Sequence, residues 1–144
     1  MKRKATAVWK GTGLEGSGVL TTKSGALKDL PYSFKARFKN EEGTDGTNPE
    51  ELIAAAHAGC FNMALSFMLT ANGFTAEELN TKATVTIEKG DDGFAFTLIE
   101  LDLKGKVPEI SAEKFEELAN AAKVGCPVSK ALSAVPMDLS IELL

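Results

Sequence analysis

The chain has 144 residues, 44% of them hydrophobic and 25% charged, with a net charge of −4 at pH 7. Folding at this size buries about 68–70% of the unfolded surface, so residues 1–144 read as a single globular domain. An acidic chain lacks the clustered basic face that nucleic acid requires. Met1-Lys2-Arg3-Lys4 is basic but leads into no apolar segment, so no signal peptide is expected.

The first elements read as strands. Residues 5–9 and 18–22 are short β-favouring runs separated by a glycine-rich stretch. Residues 32–38 alternate, placing Tyr32, Phe34, Ala36 and Phe38 on one face of a third strand and Arg37 on the other. A loop across 43–46 leads to a helix with a full start signal: Asn48 as N-cap, Pro49 at the first helical position and Glu51 three residues after the cap. That helix runs to about Asn72, where Gly73 stops it. It is apolar nearly all round, as a buried central helix would be. His57, Asn62 and Ser66 interrupt the apolar stretch, so it reads as a core helix and not as a membrane span.

Two long strands follow, near 81–88 and 94–103, joined through the turn Gly90-Asp91-Asp92-Gly93. Ser111 caps a second helix with Phe115, Leu118, Ala119 and Ala122 on one face, and Gly125 ends it. Cys126-Pro127 opens a short helix to about Leu132. In the last strand Met137, Leu139, Ile141 and Leu143 point inward. The order β-β-β-α-β-β-α-α-β describes an α+β fold, its central helix packed on an antiparallel sheet.

The chemistry points to the two cysteines. Without a secretory signal they belong in a reducing compartment, the cytoplasm, where a disulfide is catalytic or redox-sensing more often than structural. Cys60 lies mid-helix among Ala and Gly, where a free cysteine is commonly an inert core residue. Burial raises its pKa, so a reactive Cys60 needs a cation, and Arg37 is the candidate because it stays charged when desolvated. Cys126 falls either in an ordinary turn or at a helix N-terminus whose amides favour a thiolate. An apolar niche for Cys60 and a dipole-exposed Cys126 make an attacking and resolving pair.

Glu50 and Glu51 are explained by the macrodipole alone. Glu50, however, precedes Cys60 by ten residues, about 15 Å along one helix, so sharing a site with Cys60 would take an antiparallel second copy. His57, one turn before Cys60, invites a Cys-His catalytic pair or a zinc site with Cys126. Zinc wants four ligands and the chain has one histidine, so a satisfied core histidine is the expectation.

Asn48-Pro49-Glu50-Glu51-Leu52 followed by Ala55-Ala56-His57-Ala58-Gly59-Cys60-Phe61-Asn62-Met63, together with Gly125-Cys126-Pro127-Val128-Ser129, resembles the osmotically inducible protein C and organic hydroperoxide resistance (OsmC/Ohr) family. The resemblance covers essentially the whole chain and is nearer the OsmC branch. It implies an intertwined homodimer with sites at the interface, and a thiol peroxidase for organic hydroperoxides that uses no metal and no other cofactor. Carried over, Cys60 is the peroxidatic and Cys126 the resolving cysteine, Arg37 holds the thiolate and Glu50 orients Arg37, with Lys35 and Lys39 as weaker alternatives. Phe61, Met63 and Phe67 would supply an apolar surround. The implied partners are the hydroperoxide and a dithiol reductant of the lipoyl type, with neither nucleic acid nor membrane. The rival reading is a non-catalytic thiol sensor or binding protein.

Overall fold

Ala5–Lys10 (β1), Ser17–Thr22 (β2) and Leu30–Ser33 (β3) form an antiparallel three-stranded sheet in the order β1-β2-β3. Trp9, Gly18 and Tyr32 stand in one register row across it. Because Gly18 carries no side chain, the two flanking rings meet over it with centroids 5.3 Å apart. A Cβ at Gly18 would lie 2.6 Å from Tyr32 Cε1.

The computed structural model describes residues 1–40 and 46–144; the loop expected across 43–46 lies, up to residue 45, outside them. Two compact units result, Met1–Leu52 and Ile53–Leu144.

One sequence expectation fails in the first unit. The strand read over 32–38 stops at Ser33, and Phe34–Phe38 form a one-turn helix, α1. Ser33 Oγ accepts a hydrogen bond from the Ala36 amide at 3.0 Å, which is an N-cap. Phe34 and Phe38, four apart, stack on one side of the turn at 5.0 Å. Arg37 therefore projects from a helix and not from the outer face of a strand.

The long helix α2, Pro49–Ala71, begins and ends as its sequence demands. Asn48 Oδ1 accepts from the Glu51 amide at 2.8 Å, and Gly73 adopts φ +85° just beyond the end. Its buried side chains, His57, Phe61, Leu65 and Leu69, recur every four residues and form one stripe. Met63 and Phe67 stay 64% and 73% exposed in the single chain, so the helix is apolar all round but covered on one side only. It is long and apolar enough to cross a membrane by length and composition. Asn62 is nonetheless tied into the fold: it donates to Leu79 O at 3.1 Å and accepts from Thr81 Oγ1 at 2.6 Å.

The second sheet joins Glu78–Gly90 (β4), Gly93–Lys106 (β5) and Met137–Leu143 (β6) in that order. β4 and β5 are an antiparallel hairpin turning at Asp91-Asp92, with Gly93 at φ +113°. β6 runs parallel to β5, because the helices Ala112–Gly125 (α3) and Pro127–Ala131 (α4) carry the chain back across the sheet. The sheet is thus antiparallel with one parallel edge. Phe115, Leu118, Ala119 and Ala122 of α3 are buried as their spacing predicts, and they close a core with Phe61, Leu65, Leu69, Leu101 and Leu103. Cys126 belongs to this core, and Cys60 packs against it.

Candidate active site

Cys126 is placed by its neighbour in sequence. Pro127 disfavours helical backbone at the preceding residue, so α3 breaks at Cys126, which adopts φ −60° and ψ 124°. The residue then ends one helix and begins the next: its amide donates to Ala122 O at 2.8 Å, and its carbonyl accepts from Lys130 N at 3.0 Å. The turn aims its side chain at α2, where Cys126 Sγ lies 3.1 Å from Cys60 Sγ. Both thiols are free. The structure thus joins two residues 66 apart in sequence.

Their environments differ from the sequence expectation in one respect. Cys126 is fully buried, and Cys60 is the half-exposed member of the pair. Burial pushes the Cys60 thiol up, and its hydrogen bond with Cys126 adds to this; the Val128 amide opposes them. Cys126 is held below its ordinary value. Burial raises it, but the Ser129 amide, the Cys60 thiol, the Ser129 hydroxyl and the Val128 amide together outweigh that. Its sulfur closes no conventional side-chain cap of α4, yet these groups converge on it as donors at a helix start do.

His57 is buried and lies near the pair. Its Nε2 is 2.8 Å from Ser129 Oγ, and burial lowers its pKa, which keeps the ring neutral. The expectation of a satisfied core histidine holds for that nitrogen only, because Nδ1 has no hydrogen-bond partner among the described residues. Ser129 is the residue that sequence reasoning passed over. The available signal was its position three after Cys126, where a short helix turns it back toward its own start.

Arg37 and Glu50 meet in the first unit. Arg37 Nε lies 3.2 Å from both Glu50 carboxylate oxygens, and Nη2 lies 2.5 Å from Oε1. The guanidinium carbon sits 4.8 Å from the centroid of the Phe38 ring. This two-pronged contact fixes the plane of the guanidinium. Arg37 lines a cleft of about 160 Å³ together with Trp9, Tyr32, Phe34 and Phe38. Lys35 is instead engaged at the surface with Glu15, at 3.0 Å. The four expected site residues are therefore brought together two by two, Arg37 with Glu50 and Cys60 with Cys126. Of the expected apolar surround, Phe61 is fully buried in the core and is unavailable to a ligand; Met63 and Phe67 are exposed. Among the described residues, no three His, Cys, Asp or Glu side chains gather as a metal site would require.

Residues 41–140 match the profile of the OsmC-like protein family. The chain belongs to the OsmC-like family. The peroxiredoxin OsmC of Escherichia coli strain K12 is 49% identical over 141 residues, covering 97% of this chain and 96% of that protein. The organic hydroperoxide resistance protein OhrB of Bacillus subtilis strain 168 is 35% identical over 128 residues, covering 88% and 89%. The crystal structure of an OsmC-like protein from Mycoplasma pneumoniae superposes with a TM-score of 0.78 over 100% of this chain and 98% of that one; at 19% identity it speaks for the OsmC-like fold alone. This OsmC-like chain is a peroxidase-type oxidoreductase, nearer in sequence to OsmC than to OhrB.

Proposed function

We propose that the chain reduces organic hydroperoxides to alcohols with Cys60 and Cys126 as its working pair, acting as an intertwined homodimer of single-domain 1–144 chains in the cytoplasm. The observation that carries this reading is the 3.1 Å approach of two free thiols in different environments. Cys60 thiolate attacks the distal peroxide oxygen. The O–O bond breaks, the alkoxide leaves and takes a proton to become an alcohol, and Cys60 becomes a sulfenic acid. Cys126 sulfur then attacks the sulfenic sulfur, forming the S–S bond as hydroxide departs and is protonated to water. A dithiol, of the lipoyl type, restores both thiols through a mixed disulfide and is itself oxidised to a disulfide.

Burial raises Cys60, so the first step needs a cation, and among the described residues of one chain no Lys or Arg is among the groups that shift this thiol. The partner subunit's Arg37, held flat by the partner subunit's Glu50, fills that need. Ten residues of α2 separate Glu50 from Cys60, about 15 Å of axial rise, which favours a second copy as the source. The exposed Met63 and Phe67 on α2 and the exposed strand β1 give such a copy surface to cover. The aromatic cleft beside Arg37 suits the carbon tail of the substrate.

Steady-state assays test the reading. Burying about two methylene groups of tail contributes about 1.6 kcal/mol, so cumene hydroperoxide is expected to exceed hydrogen peroxide in kcat/KM by about tenfold or more. Dihydrolipoamide should support turnover and a monothiol should support it poorly. Disulfide formation without turnover on any dithiol would identify a sensor instead.

A further inference from the structure

His57 is the chain's single histidine, is fully buried and takes no part in the steps above. Its Nε2 lies 2.8 Å from Ser129 Oγ, the ring's one hydrogen bond among the described residues. Both partners are buried, and each stands three residues from a cysteine: His57 precedes Cys60 on α2, and Ser129 follows Cys126 across the start of α4. Two rungs about one helical turn apart therefore join the two segments. One is His57 to Ser129, and the other is Cys60 Sγ to Cys126 Sγ at 3.1 Å.

The helix α4 has five residues, too few to hold its own shape in water, so its place is set by what it packs on. Cys126 and Val128 pack on the core, but apolar burial resists separation without specifying direction. A hydrogen bond with both ends buried does specify it. Any slide or rotation of α4 that parts the pair leaves an imidazole nitrogen and a hydroxyl unpaired in the core. The polar rung thus fixes the register of α4 on α2, and with it the neighbouring sulfur rung. At 3.1 Å the sulfurs stand at a near-attack distance, from which about 1 Å of misplacement costs about a hundredfold in rate.

We propose that His57 and Ser129 are positioning residues, a buried strut that holds the two sulfurs at reacting distance for disulfide closure. This rests on the reading of Cys60 as the attacking and Cys126 as the resolving cysteine. In that step the Cys126 sulfur bonds to the sulfenic sulfur of Cys60, and hydroxide leaves and is protonated to water. The strut acts by geometry and does not depend on the charge of either sulfur.

The test is the competition between closure and dimedone capture in folded, reduced chains given one equivalent of cumene hydroperoxide. It is run at one pH above the Cys126 titration of every variant, so that lost thiolate contributes nothing. Ser129→Ala should lower the closure-to-capture ratio about fivefold, the equilibrium weight of one hydrogen bond. His57→Leu cuts the same bond from its other end and should lower the ratio similarly. The double variant should then be no worse than the worse single. Ser129→Thr keeps the hydroxyl and should restore most of the ratio, and the first oxidation of Cys60 should keep its rate in all of them. An unchanged ratio in either folded single variant, or losses that multiply in the double, would overturn the strut. A bond that merely stabilised the fold would leave the ratio unchanged. A wild-type chain that oxidises Cys60 and never closes would overturn the underlying reading, and the strut's use with it.

Discussion

Cys60→Ser is expected to reduce hydroperoxide consumption to the uncatalysed background, because a serine oxygen stays protonated where a thiol ionises and is a far weaker nucleophile. Cys126→Ser should behave differently. The first oxidation should survive, and the chain should then stall as a Cys60 sulfenic acid that dimedone captures. The sign of the pKa effect sharpens this. Contact with Cys126 raises Cys60, both through their hydrogen bond and through like charge. Removing that thiol should therefore lower the Cys60 pKa in the Cys126→Ser chain and extend its reactivity to lower pH. Loss of the first oxidation step in both variants alike would show that the two roles are reversed or shared.

Arg37→Lys should be nearly as damaging. An ammonium is a hydrated point charge, and it cannot span the two carboxylate oxygens of Glu50 while offering a second edge to sulfur and peroxide. The expected result is a raised Cys60 pKa and a loss of kcat/KM of about a hundredfold or more, the scale of losing one preorganised charge-stabilising group, with the fold retained. If the partner subunit supplies the guanidinium, the defect should be rescued by mixing. Cys60→Ser and Arg37→Lys chains refolded together should recover about a quarter of wild-type activity, since half the dimers are mixed and each of those has one whole site. A wild-type thiolate titration in the Lys variant would exclude Arg37 from the site.

What was legible in the sequence was whatever depends on neighbours in the chain. Asn48, Pro49 and Gly73 mark the ends of α2; the 115, 118, 119, 122 spacing gives the buried face of α3; alternation from Met137 to Leu143 gives β6. The same locality explains the failure at α1. Phe34 and Phe38 are four apart, a spacing that satisfies a strand of period two and a helix turn equally, and the deciding group was Ser33, one residue outside the alternation. The parallel pairing of β6 depends on where α3 and α4 deliver the chain, which side-chain pattern does not encode. The resemblance named all four candidate site residues. It said nothing of Ser129 beside His57, a contact between residues 72 apart that only the packed core creates. Nor did spacing reveal which thiol is buried, because that follows from the turn Pro127 imposes on Cys126.

The central claim is that these two thiols, 3.1 Å apart, form one disulfide for each hydroperoxide consumed. The most direct measurement adds one equivalent of cumene hydroperoxide to the fully reduced chain and follows it by intact-mass and peptide mapping. The account predicts loss of both free thiols, a mass lower by two hydrogens, a single Cys60–Cys126 bond within each chain, and one equivalent of alcohol. Alcohol release with both thiols still free, or a disulfide that links Cys60 to another chain, would contradict it.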